Sequence, residues 1–382
     1  MDMWLLGAAL ALLAIGVVMV ASSSITSAER ATGQPFYFLL RQSAFIGVGL
    51  VCAWLVWHIR LVYWEKYGAP LLVAGMLLLL LVIMPGIGHA VNGSSRWLAL
   101  GPVNLQPSEF VKLLVVIYLS GYLVRRGAEV QNSLRGFLKP MGVFVLMAAL
   151  LLAEPDFGAA LVMLATALGL LFLAGARLWQ FGALLAFAAL AFAALAFAAP
   201  YRLQRLTTFL NPWADPFNSG FQLTQALIAF GRGDWFGVGL GASVQKLFYL
   251  PEAHTDFLFA VLAEELGLVG ALIVIALFVV IVWRAFALAQ QAMRNGNPFA
   301  AYLAYGIGLL IALAAGINLG VNMGLLPTKG LTLPFMSYGG SSVVASCIAV
   351  ALLARIHYEV YVPQRKPSGI HSVERPSWRR AF

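Results

Sequence analysis

Residues 246–270 read KLFYLPEAHTDFLFAVLAEELGLVG, and within this stretch a polar segment runs straight into an apolar helix. The polar segment carries Glu252, His254 and Asp256, and the helix then contains the pair Glu264–Glu265. Ionisable groups at membrane depth are costly and usually mark a substrate path or a catalytic site. The stretch therefore predicts a membrane helix that begins beside a functional site.

The composition of the whole chain indicates an integral membrane protein. Of its 382 residues, 62% are hydrophobic and 10% are charged, and the mean hydropathy is +0.88. Soluble domains are about half apolar and about a quarter charged. Cys52 and Cys347 both lie in apolar runs, so neither a disulfide framework nor a metal site of paired cysteines is supported. The net charge of +9 is assigned mainly to topology signals and not to nucleic acid, while attraction to membrane lipids stays open.

Apolar runs long enough to cross a membrane recur along the chain. About 17–25 residues are needed to cross a hydrocarbon core of about 30 Å. The sequence predicts an all-α polytopic membrane protein with about ten transmembrane helices and a large extracytoplasmic loop, about 200–256, between helices 7 and 8. The predicted spans are 3–21, 36–57, 68–85, 109–124, 139–153, 158–174, 179–199, 257–283, 299–323 and 335–355.

The orientation of the chain follows from Lys and Arg, which collect in cytoplasmic loops. With a cytoplasmic N-terminus, most of the 24 Lys and Arg residues fall on inner segments, which predicts both termini inside and Asp256 outside. Residues 1–362 are predicted to form a single transmembrane domain. Residues 363–382 are predicted to be a basic, disordered cytoplasmic tail.

The polar set before the eighth span is the strongest candidate for chemistry. A carboxylate such as Asp256 could act as a general base on a hydroxyl. Helix capping explains one residue of the set but not all three. Glu264, eight residues further on, is predicted to share a helix face with Asp256, and a structural ion pair for Glu264 and Glu265 is equally open.

Other polar residues are predicted near the outer surface. Glu109 and Lys112, spaced i, i+3 in an apolar helix, predict a buried pair that either holds helices together or lines a cavity. Arg96 offers a planar fork that suits a diphosphate. Glu154 and Asp156 beside a proline could bind a cation, but an ordinary polar turn is favoured.

The stretch GINLGVNMGLLPTKGLTLPFMSYGGSS, residues 316–342, has two separate features. Two successive GxxxG steps predict a close helix-packing face, and Asn318 and Asn322 share a face at i, i+4. The turn that follows leads into a helix N-terminus, which favours anions. The glycines of the first feature are Gly316, Gly320 and Gly324, and the polar residues of the second are Lys329, Ser341 and Ser342.

Three stretches resemble the SEDS family (shape, elongation, division, sporulation) of membrane proteins. They are HTDFLFAVLAEELG at 254–267, QPSE at 106–109 followed by Lys112, and LPTKGLTLPFMSYGGSS at 326–342. The resemblance covers essentially the whole chain and is closer to the cell-division branch than to the elongation branch. Phe248 stands where some members carry an acidic residue, which weakens any claim for a second required carboxylate there.

The resemblance implies a peptidoglycan glycosyltransferase that polymerises lipid II at the outer face of the bacterial inner membrane during septal cell-wall synthesis. The essential acidic residue of the family falls on Asp256, the expected general base. The implied partners are a class B penicillin-binding protein (an FtsI-like septal transpeptidase) and other division proteins. No cofactor is certain, and a divalent cation, Mg²⁺ or Mn²⁺, stays open. The expected substrate-binding residues are Arg96, Glu109, Lys112, Lys246, His254, Lys329, Ser341 and Ser342.

Two other functions fit parts of the sequence. A lipid II flippase would also need intramembrane charges and a cavity, although no internal repeat typical of transporters is found. A non-catalytic division scaffold fits the GxxxG steps but leaves the polar set around Asp256 unexplained.

Overall fold

The computed structural model describes residues 2–84, 86, 88–91, 94–101, 103–182, 209, 211–218, 220–247, 250–327 and 330–361. Within these ranges the chain is mostly helical, with a small antiparallel sheet. The helices are α1 (Met3–Thr32), α2 (Tyr37–His58), α3 (Leu61–Ile83), α4 (Pro107–Asn132), α5 (Leu134–Ala153), α6 (Phe157–Leu173), α7 (Phe221–Gly233), α8 (Leu258–Arg294), α9 (Pro298–Asn322) and α10 (Gly340–Tyr361), and the strands are β1 (Gly88–Val91), β2 (Ser94–Leu100) and β3 (Val103–Leu105).

The predicted fold class, an all-α membrane protein, is confirmed. Among the described residues, eight helices, α1–α5 and α8–α10, are long and apolar enough to cross a membrane, and α6 is a shorter apolar helix of 17 residues. Each matches one predicted span. Most of the seventh predicted span, 179–199, and the tail 363–382 lie outside the described residues.

Several predicted helix boundaries differ from the structure, among them those of α8 and α10. The tenth span was placed at 335–355, but α10 begins at Gly340, because the segment before it folds back and packs its main chain against Gly16 of α1. The eighth span was placed at 257–283, but α8 continues to Arg294. This extension carries no long apolar run, yet one face of it is buried by the bundle, which keeps the helix intact.

The sheet β1–β3 was not predicted. Its strands pair antiparallel in chain order, with Gly88 opposite Leu98 and Leu98 opposite Leu105. The sheet lies between α3 and α4 and carries Arg96 on its central strand. The sequence signal for it is Asn92-Gly93 between two short β-prone runs, a pair typical of hairpin turns.

Two polar contacts mark the ends of the region where α1 and α8 pack side by side. At one end Asp2 accepts from Arg284, with nitrogen and oxygen 2.7 Å apart, and at the other Ser22 donates to Glu265 at 2.7 Å. Twenty residues of helix separate Asp2 from Ser22, which is about 30 Å at 1.5 Å per residue. This length equals the thickness of a typical hydrocarbon core, and we assign the membrane boundary to the level of the Glu265 contact.

Helix α8 is interrupted at that boundary. Gly267 has φ +68° and ψ −167°, which no regular helix contains. The freed main-chain groups pair with the segment that follows α7: Leu268 N donates to Asp234 O at 2.8 Å, and Val238 N donates to Glu264 O at 3.0 Å. Irregular backbone at this depth is tolerated because the protein itself supplies the hydrogen-bond partners.

Replacement of Gly267 tests whether this close approach is required. A Cβ at Gly267 would lie 2.4 Å from Gly237 N and 2.5 Å from Trp235 O, both main-chain atoms that cannot move aside independently. Gly267→Ala should therefore lower the free energy of unfolding by about 2 kcal/mol or more, measured by thermal melting in detergent. The control Gly231→Ala, on α7, adds a Cβ that meets no other described part of the protein within 4 Å and should not destabilise it. Equal melting temperatures for the two variants would contradict the assignment.

Candidate active site

Asp256 lies in the turn before α8 and not on the helix, which begins at Leu258. Its main-chain oxygen accepts hydrogen bonds from Asn318 Nδ2 at 3.0 Å and Asn322 Nδ2 at 2.9 Å, so α9 holds the turn in place. The predicted shared helix face with Glu264 is consequently not formed. The Asp256 side chain stays partly exposed, as a group that meets substrate must be.

Arg96 of β2 and Asp256 approach the same point of the chain. A Cβ placed on Gly330 would lie 3.3 Å from Asp256 Oδ2 and 3.7 Å from Arg96 Nη1. Arg96 is anchored by the carbonyls at the junction of α5 and α6: its Nε donates to Glu154 O at 3.4 Å and its Nη2 to Pro155 O. The structure therefore places the Asp256 carboxylate and the Arg96 guanidinium next to the same residue, Gly330.

The two carboxylates at the junction of α5 and α6 have different environments. Asp156 caps α6, with its Oδ1 accepting from Ala159 N at 3.1 Å, and its Oδ2 accepts from Ser108 Oγ at 3.1 Å. Glu154 is fully buried, and neither of its carboxylate oxygens has a hydrogen-bond partner among the described residues. The described residues contain no group of three or more His, Cys, Asp or Glu arranged to hold a metal.

Electrostatics around the site favour protonated carboxyls. Removal of water by the surrounding protein, helped by the charges of Glu252 and Asp156, raises the pKa of Asp256 to about 7, although Arg96 opposes this shift. Burial, with the nearby Asp156, raises the pKa of Glu154 to about 8. Glu154 is therefore mostly neutral at pH 7, while Asp256 changes charge near neutrality, which is the range a general base requires.

His254 has a packing role in the described geometry. Its ring lies between those of Phe38 and Tyr338, with centroids 4.6 Å and 5.6 Å away, and its main-chain oxygen accepts from Tyr338 N at 2.9 Å. Burial lowers the pKa of the imidazole, so the ring is neutral at pH 7. These contacts attach the turn that holds Asp256 to the segment that precedes α10.

The serines at the start of α10 join that helix to its neighbours. Ser341 Oγ accepts from Gln106 N at 2.9 Å, ahead of α4, and Ser342 Oγ accepts from Thr332 Oγ1 at 3.0 Å. Both serines are buried. Their hydroxyls are engaged within the protein, and a ligand would reach them only by replacing these contacts. The third polar residue of the predicted anion turn, Lys329, lies outside the described residues.

Glu109 and Lys112 form the predicted buried pair and also line a cavity. Glu109 Oε1 and Lys112 Nζ are 2.8 Å apart on the first turns of α4. Together with Thr332, Ser342 and Ser346 they contribute the polar part of a small, otherwise apolar cavity between α4, α9 and α10. Both roles that the sequence left open are thus present at once.

Lys246 belongs to a separate cluster at the membrane boundary. Its Nζ lies 2.7 Å from Glu265 Oε1 and 2.9 Å from Ser22 Oγ, and the side chain is buried. The structure thus forms an ion pair at Glu265, and it does not bring Lys246 to Asp256. The neighbouring Glu264 also has partners, which are Arg232, Ser243, Val244 N and Gln245 N.

The three glycines predicted as a helix-packing face have three different surroundings. Gly316 is exposed, and a Cβ added there would meet no atom within 4 Å, whereas Gly320 faces the side chain of Leu326. Gly324 lies beyond the end of α9 with φ +73°, facing Leu227 of α7. The GxxxG spacing therefore does not produce one contact between helices here, because the helix ends before its third glycine.

Sequence reasoning identified Asp256 and Arg96 but assigned no role to the amides that hold the site. Asn318 and Asn322 were noted only for sharing a helix face. Asp156 contacts Gln106 and Ser108, which belong to the QPSE stretch of the family resemblance but were given no role of their own. Chemically, the arrangement can accept a proton at Asp256 and stabilise negative charge with Arg96.

Comparison with known proteins agrees with this architecture. The family model described as cell cycle protein, FtsW/RodA/SpoVE, matches residues 3–362. The probable peptidoglycan glycosyltransferase FtsW of Nitrosococcus halophilus is 63% identical over 363 residues, covering 95% of this chain and 94% of that protein. The corresponding protein of Thioalkalivibrio sulfidiphilus is 60% identical over 359 residues, covering 94% and 90%.

A solved structure has the same fold. It is described as "Structural coordination of polymerization and crosslinking by a peptidoglycan synthase complex", and one of its chains matches with a TM-score of 0.77 and 30% identity, covering 94% of this chain and 98% of that one. The resemblance seen in the motifs is thereby confirmed, including its closeness to the cell-division branch. This chain belongs to the FtsW/RodA/SpoVE family of SEDS membrane proteins.

Proposed function

We propose that the protein is a peptidoglycan glycosyltransferase that polymerises lipid II, with Asp256 as the general base. The observation that carries the proposal is the partly exposed Asp256 carboxylate, whose pKa is raised to about 7, beside the guanidinium of Arg96. The relatives described above are named as probable enzymes of this activity, which supports the same reading.

The reaction balances with one carboxylate. Asp256 removes the proton from the sugar 4-hydroxyl of one lipid-linked disaccharide, and the oxygen forms a bond to the anomeric carbon of the other. The bond from that carbon to the diphosphate breaks, and undecaprenyl diphosphate leaves with the electron pair. The transition state is expected to resemble an oxocarbenium ion. A diphosphate needs no proton to leave, so no second acid is required.

The leaving group needs positive charge. Arg96 is the cation whose described position suits this role, because its Nη1 and Asp256 Oδ2 lie on the same side of Gly330. Donors preorganised toward developing negative charge contribute strongly to catalysis. Lys329 precedes Gly330 in the sequence and remains a second candidate. Lys246 is paired with Glu265 at the break in α8, so it would first have to leave that ion pair before it could contact the leaving group.

The setting of the reaction is also part of the proposal. The protein is a multi-pass bacterial membrane protein, and we place Asp256 on the outer face of the inner membrane, with both termini cytoplasmic and the protein at the division septum. A class B penicillin-binding protein is the proposed partner, with other division proteins around it. The solved relative that couples polymerisation to crosslinking in one complex supports a partner of this kind.

A flippase remains the second candidate, and one observation favours it. The interruption of α8 at Gly267 resembles the discontinuous helices around which transporters move substrates. The two activities differ in their product: a polymerase lengthens glycan strands in detergent, whereas a flippase only moves lipid II across an intact bilayer.

Substitution of the base tests the enzyme directly. Asp256→Asn keeps the size of the side chain but removes its basicity, so lipid II polymerisation by the purified protein with its cognate transpeptidase should fall at least about 100-fold. The product is measured as glycan strand length on gels. The matched control Asp234→Asn changes an exposed aspartate on the loop after α7 and should polymerise like the wild type. Equal polymerisation by Asp256→Asn and the control would exclude Asp256 as the base.

The pH dependence of the rate should report the same carboxylate. Because Asp256 must be ionised to accept a proton, the rate should rise with pH and reach half of its maximum near 7. The Glu252 charge raises this pKa and Arg96 lowers it. The acid limb is the part of the pH profile in which the rate rises with pH. Glu252→Gln should therefore move the acid limb to lower pH, and Arg96→Gln should move it to higher pH. Shifts in the same direction for both variants would contradict the assignment of the limb to Asp256.

A further inference from the structure

Two buried amides of α9 meet at a single atom of the catalytic turn. Asn318 Nδ2 and Asn322 Nδ2, one helical turn apart, both donate to the main-chain oxygen of Asp256, at 3.0 Å and 2.9 Å. Both side chains are buried, at 2% and 0% exposure. A carbonyl oxygen has two lone pairs, so the two amides use its full accepting capacity.

The orientation of both amides is determined by their partners. Asn318 Nδ2 also donates to Leu331 O, and Asn322 Nδ2 also donates to Asn318 O at 2.9 Å. The oxygen of Asn322 accepts from Ala260 N at 3.1 Å. Since carbonyl oxygens only accept, reversing either amide would place oxygen against oxygen. The two side chains therefore have one satisfied arrangement.

This arrangement keeps Asp256 out of the helix that follows it. In a regular helix the Asp256 carbonyl would accept from Ala260 N, four residues on. Ala260 N instead bonds to Phe257 O at 3.1 Å and to Asn322 Oδ1. The Asp256 carbonyl is left for the amides, and its side chain projects from a turn toward Gly330.

The same pair also fixes the opposite wall of the site. The bond from Asn318 to Leu331 O holds the residue that follows Gly330, and Gly330 is the point approached by Asp256 Oδ2 and Arg96 Nη1. One side chain thus sets the separation between the base and the segment facing it. A misplacement of about 1 Å in such geometry can reduce a rate by about 100-fold.

From these contacts we infer that Asn318 and Asn322 are positioning residues that aim the Asp256 carboxylate at the substrate hydroxyl. The inference rests on the proposed role of Asp256 as general base. Both asparagines are buried, with 2% and 0% of their surface exposed. They act through the main chain of Asp256 and, in the case of Asn318, through the segment that begins at Gly330.

The test compares Asn318→Ala and Asn322→Ala with Asn297→Ala and Asp256→Asn in the full protein with its transpeptidase. Asn297 is the matched control because it caps the opposite end of α9, where its side chain accepts from Ala300 N at 3.1 Å. Lipid II polymerisation is measured for kcat, for KM and for the pH at which the acid limb is half complete. Melting temperature is recorded for each variant.

The charges that face Asp256 are the same in all the asparagine variants. Among the described residues they come from Glu252 in the same turn, from Arg96 of β2 and from Asp156 ahead of α6. A displaced acid limb in an asparagine variant would therefore report a change in the position or hydration of the Asp256 carboxyl, and not the loss of a neighbouring charge.

Positioning predicts a specific pattern. Asn318→Ala and Asn322→Ala should each lower kcat by about 10–100-fold with KM changed less than about threefold, and the acid limb should move to lower pH because a loosened turn admits water to Asp256. Asn297→Ala should lower the melting temperature and leave kcat, KM and the pH limb unchanged. A purely structural role for the inner pair would instead give the pattern of Asn297→Ala at all three positions, which would overturn the inference.

Failure of the inference can be told apart from failure of the proposed function. If Asp256→Asn is inactive but the inner asparagine variants behave like Asn297→Ala, the base assignment stands and the positioning role falls. If Asp256→Asn polymerises like the wild type, both the base assignment and the positioning role are wrong. Should an alanine variant not fold, serine at the same position keeps a shorter donor, and the same comparison with Asn297→Ala decides.

Discussion

The main chain of α8 is interrupted at the membrane boundary, and each donor and acceptor freed at Gly267 has to be paired within the protein. The segment after α7 provides that pairing, with bonds from Leu268 N to Asp234 O and from Val238 N to Glu264 O. The two glutamates before the break then hold the remainder of the segment, Glu264 by accepting from Ser243 Oγ, Val244 N and Gln245 N, and Glu265 through its ion pair with Lys246. The outer part of α8, and the turn before it, take their position from this pairing.

The charged residues near the outer end of α8 form two groups, one at the membrane boundary and one around Asp256. At the membrane boundary every described acid of the α8 break has a basic partner, as expected where an unpaired charge would be expensive. Around Asp256, by contrast, the described carboxyls outnumber the described guanidinium of Arg96, and burial together with these carboxyl charges raises the pKa values of Asp256 and Glu154. The ion pairs at the membrane boundary therefore stabilise the fold, whereas the carboxyl of Asp256 stays close to its titration point.

The sequence predicted the parts of the fold that follow from long apolar runs and the site residue that stood out by its charge. Nine predicted spans correspond to described helices, because hydrophobic length determines a membrane helix almost alone. It did not predict the sheet that carries Arg96, whose strands are short and weakly patterned. Nor could it assign Asn318 and Asn322, since their role depends on a carbonyl more than sixty residues away in the chain. The GxxxG spacing forms no single helix contact within the described residues, because small residues permit close packing without requiring a partner.

The contacts at the two ends of α1 and α8 have a consequence for the lipid around the protein. Asp2 with Arg284, and Ser22 with Glu265 and Lys246, fix the hydrophobic length of this helix pair at about 30 Å, so the pair cannot lengthen or shorten without losing a buried charge contact. Hydrophobic mismatch with a thicker or thinner bilayer must then be absorbed by tilt of the pair or by deformation of the lipid. Tilt would displace the Lys246 segment, which leads directly into the turn of Asp256. Bilayer thickness is thereby connected mechanically to the turn that carries Asp256.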